Sequence, residues 1–156
     1  MNEALDRLAQ KVSLSSASER LRLEFCYACT RRVEQLVEQP EVLECLRGLG
    51  AFLAGSLSRT DLDELAAKAA LLANQHQGSR SLDGSGHAAV SATYAVANAL
   101  AGKAQQAADY TAYAAVYGQG GYGAVADRES FKPEFEWQVN CLSRLVAQHA
   151  SAQSAA

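Results

Sequence analysis

The chain has 156 residues, of which 49% are hydrophobic and 20% charged, the proportions of a soluble globular domain. At this length roughly two thirds of the unfolded surface can be buried, so neither a metal nor a disulfide is needed to hold the chain together. A formal charge of −3 at pH 7 argues against broad binding to a nucleic-acid backbone, which demands a cationic face, and leaves room only for a local basic patch.

The opening Met1-Asn2-Glu3-Ala4-Leu5-Asp6 has neither the basic start nor the apolar core of an export signal. No apolar run approaches the ~20 residues of a membrane span. A cytosolic protein without membrane contact is expected, folded as one domain over residues 1–150. In a reducing compartment Cys26, Cys29, Cys45 and Cys141 read as small buried thiols.

Helical periodicity dominates, and no segment of useful length alternates apolar and polar residues as a half-buried strand does. Leu5, Leu8, Ala9 and Val12 predict a short amphipathic helix, interrupted by the hydroxyl-rich run Ser13-Leu14-Ser15-Ser16. Ser16 and Glu19 have capping-box spacing, and Leu21, Phe25, Cys29, Val33 and Leu36 then predict one long helix down to Gln39-Pro40. Pro40 suits the first turn of the next helix, striped by Val42, Cys45, Leu46, Leu49, Phe52 and Leu53 as far as Gly55. Thr60 and Asp63 approximate a further capping box before Leu62, Leu65, Ala66, Ala69, Leu72 and Ala73. The run from Gln77 to Gly86 is rich in turn formers and predicts a surface loop.

From His87 to Tyr117 the chain is alanine-rich, which favours helix and lets backbones approach closely. Two helices broken near Gly102 are expected, then a glycine-rich loop over Gly118 to Gly123. A last helix from about Ser130 carries Phe135, Val139, Leu142, Leu145, Val146 and His149 on its inner face, before a frayed tail over residues 151–156. The expected fold is all-α, a single-domain compact bundle of six or seven helices.

Several motifs invite chemistry and lack its context. Gly118, Gly120 and Gly123 match the spacing of a dinucleotide fingerprint, but that motif leaves a strand, whereas this one leaves a helix. Cys26-Tyr27-Ala28-Cys29 is a CxxC without the second pair of a zinc site or the strand of a redox site. Asp83, Ser85 and His87 include the residue types of a hydrolytic triad, yet near-adjacent loop positions do not provide separate catalytic stations. No catalytic residue, metal ligand or cofactor is expected.

Tyrosine is distributed unevenly: five of six fall in one stretch, as Tyr94, Tyr110, Tyr113, Tyr117 and Tyr122. Tyr110, Tyr113 and Tyr117 share a helix face, and His87, Ser91, Tyr94 and Asn98 step by four, three and four along the preceding helix. Tyrosine offers large contact area at low entropy cost, so this region reads as a protein-binding surface. Acidic helix starts, above all Asp127, Glu129, Glu134 and Glu136, suit the helix dipole and would form a negative surface for a basic protein partner.

An early helix carries Tyr27-Ala28-Cys29-Thr30-Arg31-Arg32-Val33, followed by Gln39-Pro40-Glu41. A long alanine-rich stretch runs from His87 through Ala115, and a closing helix has Glu136-Trp137-Gln138 with Leu142 and Leu145. In these segments the chain resembles the predicted immunity proteins of bacterial polymorphic toxin systems, specifically the alanine-rich group similar to the fifth immunity family. The resemblance implies an all-helical protein without catalysis that is made beside a toxin and neutralises it by tight binding inside the producing cell. The expected partner is therefore a cognate toxin encoded by a neighbouring gene, engaged by a monomer or homodimer. A helical adaptor or secretion chaperone receiving an amphipathic segment is the competing expectation, and it predicts an exposed apolar groove. A helical hydrolase built on Asp83, His87 and the acids near Asp127 is a third, and it predicts a deep pocket of convergent polar groups.

Overall fold

A computed structural model describes residues 1–76 and 84–155, and all regular structure in these residues is helical. Seven α-helices follow one another: α1 (Glu3–Lys11), α2 (Glu19–Arg31), α3 (Pro40–Leu53), α4 (Arg59–Asn74), α5 (Ser85–Leu100), α6 (Ala104–Ala126) and α7 (Lys132–Ala155). Short 3₁₀ turns cover Leu14–Ser16, Glu34–Leu36 and Arg128–Phe131. The all-α bundle expected from periodicity is the observed fold. Most of the expected loop, including Asp83, lies outside the described residues.

The interior forms around α2, which packs against α3, α5, α6 and α7. Phe25, Cys26 and Cys29 of α2 are fully buried, together with Val42, Cys45, Leu46 and Leu49 of α3 and Leu142 of α7. The most extensive pairing joins α5 to α6. Ala92, Ala95 and Ala99 of α5 and Ala107, Ala108, Ala112 and Ala114 of α6 are all buried, and these small side chains let the two helices close together. The stripe of α4 lies on α3 and α5, and α1 is seated on α7.

Local chemistry moves several expected boundaries. Pro40 occupies the first turn of α3, and the break at Gly102 is present, with φ 73. The long second helix instead stops at Arg31. The hydroxyl of Thr30 donates to the carbonyls of Cys26 (2.9 Å) and Tyr27 (3.2 Å), a back-bond that loosens a helix. The chain then turns so that Val33 and Val37 both enter the core. The hydroxyl of Ser16 donates to the carbonyl of Ser13 within its own turn, and α2 starts after Ser18. At α4 the cap is Ser58, whose Oγ accepts the Asp61 N–H at 3.1 Å, rather than Thr60.

The largest departure concerns the expected glycine loop. Helix α6 runs through Gly118, Gly120 and Gly123, and only Gly121 leaves helical geometry, with φ 63 and ψ −150. Alanine and valine on either side hold the helix, so four glycines produce a kink and not a loop. Residues 151–154, expected as a frayed tail, continue α7 as exposed helix, consistent with the helix-favouring alanines there.

Candidate functional site

Because α5 and α6 run antiparallel, residues stepping along one meet residues stepping back along the other. Tyr94 stacks on Tyr110, with centroids 5.3 Å apart and planes at 22°. Seven residues earlier on α5 and seven later on α6, His87 stacks on Tyr117 at 5.2 Å and 24°. His87 and Tyr94 of the α5 stripe therefore meet the tyrosine face of α6 along one seam.

Beyond the Gly121 kink, Tyr122 presents its edge to His87 (5.2 Å) and to Tyr117 (6.0 Å). Tyr117 stacks in turn on Tyr113 at 6.4 Å, and Tyr113 meets Phe131 edge to face at 5.4 Å. Phe135 extends the chain of rings, 5.5 Å from Phe131. Ring pairs at such separations are worth ~0.5–1.5 kcal/mol beyond their buried area, which makes the seam stiff. Tyr110 and Tyr122 are the most accessible members, 36% and 45% exposed, while Tyr94, Tyr113 and Tyr117 are half-buried. All five expected tyrosines thus lie in this one region.

The acidic residues do not form the expected negative surface. Glu134 is only 6% exposed. Its two carboxylate oxygens accept from Arg32, Nη2 at 2.7 Å and Nε at 3.0 Å. Position three of α7 turns it inward onto the end of α2, so it belongs to the frame and not to the exposed surface. Asp127 caps the following 3₁₀ turn by accepting the Glu129 N–H at 3.0 Å. Glu129 and Glu136 are exposed, but Arg128 and Lys132 stand among them, and the rim is mixed in sign. Elsewhere Asp63 pairs with Arg59 and Glu44 with Lys68.

Periodicity did not reveal the framework behind the seam. Arg32 lies 4.2 Å above the ring of Trp137 while holding Glu134. Asn2 accepts the Leu5 N–H at the start of α1 and donates to the Phe135 carbonyl (3.2 Å) and to Oε1 of Gln138 (3.0 Å). The Gln138 amide donates to the Ala108 carbonyl of α6 at 2.8 Å. These side chains lock α1, α2, α6 and α7 around the aromatic face. Phe131 and Phe135 have a helical spacing that signals such a role; the Arg32–Glu134 pair, separated by 102 residues, has none.

The four cysteines are buried free thiols. Burial pushes the Cys26 thiol up to about 12, with Arg22 opposing, and raises Cys29, Cys45 and Cys141 as well. Protonated thiols are poor nucleophiles and poor metal ligands. Among the described residues no three His, Cys, Asp or Glu side chains come together as a metal site, and no helix is long and apolar enough to cross a membrane. Of the residues that suggested a hydrolase, His87 is engaged in the aromatic seam and Asp83 lies outside the described residues. Comparison with protein-family models, with curated proteins and with solved structures gives no match.

Proposed function

We propose that this chain is a non-catalytic binding protein whose α5–α6 seam occludes a partner protein, acting as an immunity protein that binds and neutralises a cognate toxin. The observation that carries this reading is the composition of the seam. Between Gly84 and Ala126 the only Lys, Arg, Asp or Glu residues are Lys103 and Asp109, in a chain that is 20% charged, while five tyrosines crowd the same segment. Charge depleted at the centre, aromatic rings in place and mixed charges at the rim are the composition of protein-binding hot spots. A nanomolar inhibitor needs about −12 kcal/mol, and exposed rim charges contribute only ~0–1 kcal/mol each. The tyrosines are the groups able to provide the remainder.

Co-expression with the product of the neighbouring gene tests the proposal, using Tyr110→Ala and Tyr122→Ala as the most exposed members of the seam. Each should keep the far-ultraviolet circular dichroism of the parent, weaken the one-to-one complex by roughly tenfold or more and reduce growth protection. Unchanged affinity and protection in the double variant would remove the seam from the interface.

A second reading, an adaptor that receives an amphipathic segment, is favoured by one further feature. Hollows of about 700 and 540 Å³ lie side by side at the start of α7 and share Met1, Glu3, Arg128 and Phe135. Binding of several unrelated amphipathic peptides there, with no effect of the tyrosine substitutions, would favour the adaptor.

A further inference from the structure

A third cleft, of about 370 Å³, opens where the start of α2, the start of α4 and the α5–α6 turn converge. None of its lining residues belongs to the tyrosine seam. Its apolar walls are the buried side chains of Leu14, Leu23, Leu62 and Leu100. Three cationic side chains line it, Arg22, Arg59 and Lys103, against one anionic one, Glu19.

Two of the three cations are held in place. Nη1 of Arg22 donates to the carbonyls of Ala17 (2.5 Å), Leu14 (3.4 Å) and Ser15 (3.4 Å), which fixes the guanidinium at the cleft. Arg59 is fixed by ion pairs with Glu19 and, at 3.2 Å, with Asp63. Lys103 is exposed and forms no ion pair among the described residues. With Asp63, which pairs with Arg59 from just outside the lining, the cleft has a local charge of +1 in a protein whose net charge is −3.

We propose that this cleft binds a small anion bearing one or two phosphoryl groups. A cleft of one sign with low-dielectric walls concentrates its field. Guanidinium forks match the spacing of phosphate oxygens, and lysine adds a point charge. A phosphoryl dianion carries about twice the charge of a single carboxylate and so gains more from this field. The volume sits at the small end of the range for small-molecule sites, about 300–1,000 Å³, and admits a pyrophosphate with its bound water. Glu19 competes with the anion for Arg59 and so weakens the site it lines.

Calorimetric titration of the whole chain with inorganic phosphate, pyrophosphate and acetate at matched ionic strength tests the proposal. Pyrophosphate should bind most tightly and acetate not at all. Lys103→Ala should weaken pyrophosphate about fivefold or more, and Glu19→Gln should tighten it by a similar factor; opposite signs are the mark of a ligand site, because the loss of a merely structural support would weaken binding in both. Circular dichroism of both variants checks that the fold is kept. Absence of binding by both phosphoryl anions, indifference to Lys103→Ala, or weaker binding by Glu19→Gln would each overturn the assignment.

Discussion

Arg32 closes over Glu134 with two hydrogen bonds, 2.7 and 3.0 Å long, while its guanidinium rests on the face of Trp137. The pair joins the end of α2 to the start of α7. Glu134→Ala strands a guanidinium that is one-third exposed, so the loss is smaller than for a fully buried pair, about 2 kcal/mol. Urea unfolding should show a lower midpoint at unchanged slope. A loss below about 0.5 kcal/mol would mean that Trp137 and water hold Arg32 without the carboxylate.

Asp109 is half-buried at the far end of the seam, beside Tyr110. Burial raises its carboxyl above the ordinary range, and Asp6 adds to the rise. A carboxyl raised in the folded state holds its proton more tightly there than in the unfolded chain, so ionisation costs stability at neutral pH, and the cost is relieved as pH falls through the carboxylate range. Asp109→Asn should therefore melt higher than the parent at pH 7, with the advantage shrinking under acid. Parallel pH profiles of the two proteins would show that Asp109 contributes no such term.

Gly121 and Gly123 are two residues apart and call for opposite outcomes. At φ 63 and ψ −150, Gly121 occupies a region almost closed to side chains, and Gly121→Ala should cost about 1–2 kcal/mol. A Cβ on Gly123 would meet nothing within 4 Å, and Gly123→Ala should gain about 0.5–1 kcal/mol by restricting the unfolded chain. Equal effects of both substitutions in urea unfolding would contradict the kink.

Thr30, Thr93 and Thr111 are all buried in helices. The hydroxyls of the first two donate to carbonyls four residues earlier, at 2.9 Å each, but Oγ1 of Thr111 has no partner among the described residues. Thr111→Val keeps the shape and removes an unsatisfied group, so it should stabilise by about 1 kcal/mol, whereas Thr93→Val should not. A destabilised Thr111→Val would point to a hydrogen bond formed in solution.

Much of the fold was legible because helices announce themselves locally. Pro40 and Gly102 marked boundaries by backbone chemistry alone, and the α5 stripe of His87, Ser91, Tyr94 and Asn98 was visible from its spacing. What spacing cannot carry is the identity of the facing residue. Glu134 has the sequence context of any acidic helix start, and only Arg32, a hundred residues away, turns it from a surface charge into an interior one. The glycine segment misled for the opposite reason: its composition favours a loop, and the helix-favouring residues on either side carry the helix through it.

The hairpin of α5 and α6 is joined by only three residues, Ala101 to Lys103, whereas the contacts of Asn2 with Phe135 and Gln138 link positions 133 and 136 residues apart. Closing a short connection costs far less chain entropy than closing one of that span. Assembly during folding should therefore begin with the tyrosine-bearing hairpin and finish when the first helix seats on the last, so a nascent chain would acquire its tyrosine pairs before its scaffold is complete.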